Sequence, residues 1–268
     1  MTGRLEGRVA VVVGAGQTQG ETIGNGRAVA VTFSREGARV VLVDRDPTSL
    51  AETAELCAGE TAQVVADIAA DDGPQSVVDG ALGAFGAIDV LHNNAGVHES
   101  DFTDKLTIDT LPDDVWDKVY EINLRGVWQC TKAAAPYLKE SQRGPAIVNA
   151  SSTGGVMGYP MASAYCATKG GVVQLTKTTA IDLAPRVRCN CYCPAAVDTP
   201  MIQKYFDAAE DKEAIEKALI GSHLIPRIGK PEEVAKLVCF LASDDAAWIT
   251  GAAYLIDGGS LAWRGSNG

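Results

Sequence analysis

Arg8-Val9-Ala10-Val11-Val12-Val13 runs straight into Gly14-Ala15-Gly16-Gln17-Thr18-Gln19-Gly20-Glu21-Thr22-Ile23-Gly24-Asn25-Gly26-Arg27, and this join decides the fold. A continuous apolar run that stops at glycine is the pattern of a strand buried on both faces, because a half-solvated strand would alternate. The apolar-periodic stretch that follows, through Phe33, reads as a helix. Strand, glycine loop and helix make a βα unit, whose turn can bring backbone N–H groups to a pyrophosphate at a helix N-terminus.

Outward from that unit the same alternation repeats. Further strands are expected at Arg39–Val43, Thr61–Ala66, Ile88–Leu91, Ala146–Asn149, Val187–Tyr192 and Ala252–Ile256. Helices are expected at about Asp71–Phe85, Leu111–Leu138, Ala162–Leu183 and Pro231–Leu241, with a mixed-polarity helical segment at Met201–Ile225 suited to a mobile cover. The pattern predicts an α/β fold, a doubly wound parallel sheet of Rossmann type flanked by helices. With 268 residues and 46% hydrophobic content, the chain can fill one such core as a single domain. A cofactor half (about 1–150), a catalytic and substrate half (about 151–260) and a flexible tail (262–268) are expected.

A formal charge of −11 argues against a nucleic-acid partner, which would need clustered Lys and Arg. The chain has no run of about 18 apolar residues, so no membrane partner is expected and a cytoplasmic location is. Seven cysteines show no zinc-like pairing with His92, His98 and His223, so no metal is expected. Cys189, Cys191 and Cys193 alternate, which puts them on one face of a strand as small buried hydrophobes.

Chemistry concentrates in Ser151-Ser152-Thr153-Gly154-Gly155 and Tyr165-Cys166-Ala167-Thr168-Lys169. On a helix Tyr165 and Lys169 share a face. A phenol with a reference pKa of about 10 is a poor base at neutral pH, and an ammonium one turn away favours its phenolate. Ser152, after an apolar strand, can hydrogen-bond a substrate oxygen. Asp44 ends the second strand, placed to accept from an adenosine ribose diol and to repel a 2′-phosphate. That favours NAD, while Arg45 beside it keeps NADP as an alternative; Asp44 could otherwise simply cap the next helix. Asp67-Ile68 could flank an adenine, Asn93-Asn94-Ala95-Gly96 suits a tight turn beside a ligand, and Asn123 is a polar amide inside an expected helix.

Taken together, from about Arg8 to Gly259, these features resemble the classical short-chain dehydrogenase/reductase family. The resemblance implies Tyr165 as general acid/base, Ser152 orienting the substrate oxygen, and Lys169 binding the nicotinamide ribose and lowering the tyrosine pKa. Asn123 would hold a water in a proton relay behind Lys169. Gly14, Gly24, Gly26, Asp44, Asp67, Ile68, Asn94, Ala95, Gly96 and Pro194 would line the cofactor, with Val197 and Thr199 anchoring the carboxamide. It also implies a homotetramer. Val13 stands where the family has Thr, Pro194-Ala195 where it has Pro-Gly, and the stretch from Gly14 to Gly24 is several residues longer than usual. Thr22-Ile23-Gly24-Asn25-Gly26 has some likeness to a divergent branch of enoyl reductases, whose Tyr and Lys are more widely spaced than Tyr165 and Lys169.

By position Val97, His98, Gly154, Val156, Tyr159, Ala196 and Met201 could line a substrate pocket. Most are apolar, which favours a moderately hydrophobic secondary alcohol or ketone as the small-molecule partner. An NAD-dependent alcohol dehydrogenase or ketoreductase is the leading reading. The alternatives are a catalytically idle dinucleotide-binding sensor or scaffold, and an enoyl reductase.

Overall fold

A computed structural model describes residues 3–208, 211–221, 223–263 and 265. The expected flexible tail falls partly on residues 264 and 266–268, outside the described residues. In chain order the elements are β1 (Val9–Val13), α1 (Asn25–Arg35), β2 (Arg39–Asp44), α2 (Pro47–Leu56), β3 (Thr61–Val65), α3 (Gly73–Phe85) and β4 (Val90–Asn93). Then come α4 (Asp113–Tyr120), α5 (Gly126–Glu140), β5 (Ala146–Ala150), α6 (Ser163–Leu183) and β6 (Arg188–Pro194). The chain continues through α7 (Pro200–Ala208), α8 (Lys212–Ile220), α9 (Pro231–Ala242) and β7 (Ala253–Ile256).

All strand pairs are parallel, in the order β3-β2-β1-β4-β5-β6-β7. Every residue of β1 is buried, as its unbroken apolar run requires. Successive side chains leave on opposite faces. Ala10 and Val12 enter a core layer with Val29 and Phe33 of α1 and Val234 and Val238 of α9. Val9, Val11 and Val13 enter the other layer, with Val77 and Ala81 of α3, Leu138 of α5 and Leu183 of α6. The strand order reverses between β1 and β4, and a crevice opens there at the carboxyl ends of the strands, where doubly wound sheets bind ligands.

Two expectations are corrected. The fourth strand lies at Val90–Asn93 rather than Ile88–Leu91, so it carries polar side chains inward. Asn93 donates to Asn149 Oδ1 at 2.9 Å, and His92 packs between Phe33 and Tyr192. The long helix expected over Leu111–Leu138 begins at Asp113 and is interrupted by a π turn, Glu121–Arg125, which holds Asn123. The helical segment expected at Met201–Ile225 holds two helices, α7 and α8. Cys189, Cys191 and Cys193 are all fully buried on β6.

Candidate active site

The crevice holds a cleft of about 410 Å³. Its floor is the β1–α1 join. Gly14 has φ +80°, and a Cβ there would stand 2.7 Å from the Ala95 nitrogen. Gly26 is tighter still, since a Cβ would meet the Gly14 carbonyl oxygen at 1.8 Å and Asn94 Nδ2 at 2.5 Å. Asn94 Nδ2 donates to that same carbonyl at 3.0 Å and Asn94 Oδ1 accepts from the Tyr192 hydroxyl at 3.3 Å, so the β4 end locks onto the glycine loop. Gly24 caps α1 with ordinary extended backbone, and a Cβ there would make only van der Waals contact with Gln17 at 3.9 Å.

The long loop is built rather than slack. Gln17 Oε1 accepts from Gly24 N–H at 2.9 Å, and Gln17 N–H donates to Ser49 Oγ at 2.6 Å. The Arg27 guanidinium reaches from α1 to Ser49, Thr53 and Glu52, and Thr53 Oγ1 donates to the Ala15 carbonyl at 2.9 Å. A Cβ on Gly20 would come within 2.9 Å of Pro200, the first residue of α7. Gly16 abuts Asp44 in the same way, a Cβ there standing 2.7 Å from the Asp44 carboxyl carbon.

Asp44 Oδ2 accepts from Gly16 N–H at 3.0 Å and Oδ1 from Asp46 N–H at 3.2 Å. Asp44 is not the cap of α2; Asp46 is, accepting from Thr48 and Ser49. Arg45, Asp67, Ile68, Ala95 and Gly96 also reach the cleft wall. Asp67 Oδ1 accepts from Ala69 N–H, while Ile68 is buried against Gly126.

On the opposite wall stands α6. Lys169 Nζ donates to the Ala150 carbonyl at 2.9 Å and lies 5.7 Å from the centre of the Tyr165 ring. Burial pulls the Lys169 ammonium down from 10.5 to about 8. Gly96 is wedged beside it, since a Cβ there would meet Lys169 Nζ at 3.2 Å and Asn123 Oδ1 at 3.3 Å. Asn123 clasps Val97, accepting from its N–H at 2.8 Å and donating to its C=O at 2.9 Å.

Ser151 rather than Ser152 forms part of the cleft wall, yet its hydroxyl is spent on the Lys169 carbonyl at 2.9 Å. Ser152 Oγ accepts from Gly154 N–H at 3.0 Å, which leaves its own proton to donate. Val197 makes a bridge with Gly229 through its neighbours: Asp198 N–H donates to Gly229 and Ala196 C=O accepts from it. The N–H and C=O of Val197 itself therefore point away from Gly229. Pro194, Thr199, Met201 and Val97 line the cleft. His98, Gly154, Val156, Tyr159 and Ala196 are outside its wall, although the His98 ring lies 5.1 Å from that of Tyr165. Tyr159 instead hydrogen-bonds Thr153, and Val156 is 54% exposed.

The residues of the crevice fit a dinucleotide. The first N–H groups of α1 open onto it, Asn25 Oδ1 is buried there with no partner among the described residues, and Asp44 retains lone pairs for hydroxyl donors. Sequence reasoning passed over Gln17, Asn25 and Tyr192, which reach the same wall. Among the described residues no cluster of His, Cys, Asp or Glu could hold a metal, and no helix is long and apolar enough to cross a membrane.

Comparison with known proteins gives concordant matches. A family model described as Enoyl-(Acyl carrier protein) reductase matches residues 20–260. The 3-oxoacyl-(acyl-carrier-protein) reductase FabG of Thermotoga maritima is 38% identical, over 96% of this chain and 98% of its own. Dehydrogenase/reductase SDR family member 6 of Rattus norvegicus is 36% identical, over 96% of this chain and 98% of its own. The crystal structure of carveol dehydrogenase from Mycobacterium avium in complex with NAD has a TM-score of 0.88 at 31% identity, covering 98% of this chain and all of the other.

Proposed function

The chain belongs to the short-chain dehydrogenase/reductase family, and from that premise we propose that it is an NAD-dependent enzyme interconverting a moderately hydrophobic secondary alcohol and its ketone. The oxidoreductase class follows from the family. The observation that carries the finer reading is the buried Lys169 ammonium beside the Tyr165 ring, across the cleft from Asp44.

A bound nicotinamide would supply the hydride acceptor for oxidation and the donor for reduction. In oxidation the Tyr165 phenolic oxygen takes the alcohol proton, and in reduction it returns a proton to the carbonyl oxygen. The Lys169 charge favours the phenolate. Ser152 donates to the substrate oxygen and holds it toward Tyr165. Asn123, whose side chain clasps Val97 and so fixes the π turn, would hold a relay water behind Lys169. Val197, through its N–H and C=O, and Thr199 hold the carboxamide. Asp44 accepts from the ribose hydroxyls and repels a 2′-phosphate, which supports NAD; Arg45 keeps NADP as the alternative. The M. avium carveol dehydrogenase, crystallised with NAD, agrees with that preference. A homotetramer in the cytoplasm is part of the same proposal, and gel filtration tests its assembly state.

An enoyl reductase is the second reading, favoured by the printed description of the matching family model. The spacing of Tyr165 and Lys169, one helical turn, weighs against it. The test is reduction of NAD and NADP across a panel of secondary alcohols, with Tyr165→Phe alongside and an unsaturated thioester as a further substrate. NAD-linked turnover that the variant loses supports the proposal. Turnover of the thioester but of no alcohol or ketone replaces it with the second reading.

A further inference from the structure

Glu99 is 0% exposed, and its carboxylate accepts from Ala164 N–H at 3.1 Å through Oε1 and from Tyr165 N–H at 3.3 Å through Oε2. These are the second and third residues of α6, whose N–H groups have no partner within the helix and are ordinarily met by a capping side chain. The residue at the cap position, Ala162, has no side-chain oxygen to offer. The helix therefore takes its cap from a residue 65 positions earlier in the chain. A buried carboxylate is costly without compensation, and the positive end of a helix supplies some of it.

The same turn grips Tyr165 a second time. His98, next in sequence, lays its ring 5.1 Å from the Tyr165 ring at an interplanar angle of 43°. His98 is itself fastened, since its N–H donates to Asp101 Oδ2 at 3.0 Å and its Nδ1 accepts from Ser100 N–H at 3.2 Å. Burial lowers the His98 pKa, with Glu99 and Asp101 opposing the shift.

We propose that Glu99 is a positioning residue for Tyr165, fixing the first turn of α6 and with it the direction in which the phenol enters the cleft. The proposal rests on the reading of Tyr165 as acid/base. Lys169 is anchored independently on Ala150, so loss of Glu99 displaces Tyr165 relative to Lys169 rather than moving the two together.

Glu99→Gln preserves volume but turns an amide NH₂ toward one of the two peptide N–H groups, whereas Glu99→Ala removes both bonds. The test uses the full chain and the panel alcohol that it turns over fastest. The expected kcat falls roughly tenfold for Gln and about 100-fold for Ala, the scale set by misplacement of a reacting group. KM for NAD is expected to stay within about twofold, because Glu99 does not line the cleft. Amide hydrogen exchange at Ala164 and Tyr165 is expected to quicken in both variants. A kcat unchanged in Glu99→Gln despite faster exchange overturns the proposal, and so does unchanged exchange at those two amides. If Glu99→Ala does not fold, Glu99→Gln decides alone. Tyr165→Phe in the same assay separates the two ideas: full activity of that variant removes the acid/base reading, whereas loss of its activity beside unimpaired Glu99 variants removes only the positioning role.

Discussion

Lys169 Nζ stands 5.7 Å from the centre of the Tyr165 ring with only 4% of the residue exposed, so the charge that would serve the phenol is held out of water. Burial lowers its pKa to about 8. An unfolded chain keeps this proton to about pH 10.4. Between the two values the unfolded state binds more protons, so stability rises with pH across that window. Below it the desolvation penalty is present in full, on the order of 3 kcal/mol. Lys169→Met is therefore expected to stabilise the cofactor-free protein at pH 7 and to flatten its pH dependence above about pH 8, while turnover falls about 100-fold or more. Thermal melts at about pH 7 and pH 9.5 check this, and a variant that melts lower than the parent at pH 7 contradicts it.

Two glycines of the first loop are expected to behave differently. Alanine at Gly26 would drive its Cβ into the Gly14 carbonyl and the Asn94 amide, whereas alanine at Gly24 meets nothing closer than Gln17 at 3.9 Å. Gly26→Ala is expected to destabilise by about 1–3 kcal/mol. Gly24→Ala should stay within about 0.5 kcal/mol. Urea unfolding of the cofactor-free variants reads both.

Cofactor preference is expected to turn on Asp44. Asp44→Ser removes the repulsion of a 2′-phosphate and frees the neighbouring Arg45 to meet it, so the ratio of NADP to NAD affinity should rise about tenfold. Affinity for NAD should also fall, because the bond from Gly16 N–H to a charged acceptor is lost. Fluorescence titration with each dinucleotide measures the pair of changes, and an unaltered ratio would remove Asp44 from the specificity argument.

The α7 helix is tied to the 98–101 turn by the Lys204–Asp101 ion pair at 2.6 Å, with Lys204 53% and Asp101 20% exposed by side chain. A pair this open to solvent is worth about 1 kcal/mol at most and weakens with salt. Lys204→Ala should raise the substrate KM by no more than about fivefold and leave cofactor affinity alone. Raising salt should lift the parent KM toward that of the variant.

Most strands were legible because their apolar runs are unbroken, as in Val9–Val13. The fourth was misplaced by two residues since its inward side chains are polar and meet partners far along the chain, Asn93 with Asn149 and His92 with the Val148 carbonyl. A π turn has no local signature; only the oddity of Asn123 inside a helix pointed toward it, and its clasp on Val97 is what makes sense of that residue. Tyr165 and Lys169 could be read as neighbours because their spacing within one helix sets their geometry. Glu99 could not, since its partners lie across the molecule. The one local hint was an alanine where α6 needs a cap.

Gly20 of the first loop lies so near Pro200, the first residue of α7, that a Cβ on it would stand 2.9 Å away, which makes the loop along the crevice a neighbour of the helix proposed to cover the substrate side. Its consequence is a matter of sequence in time. Under the proposed reading, a loop settled around the dinucleotide would set where α7 begins, so turnover is expected to follow a compulsory order, nucleotide first on and last off, and product-inhibition patterns would check it.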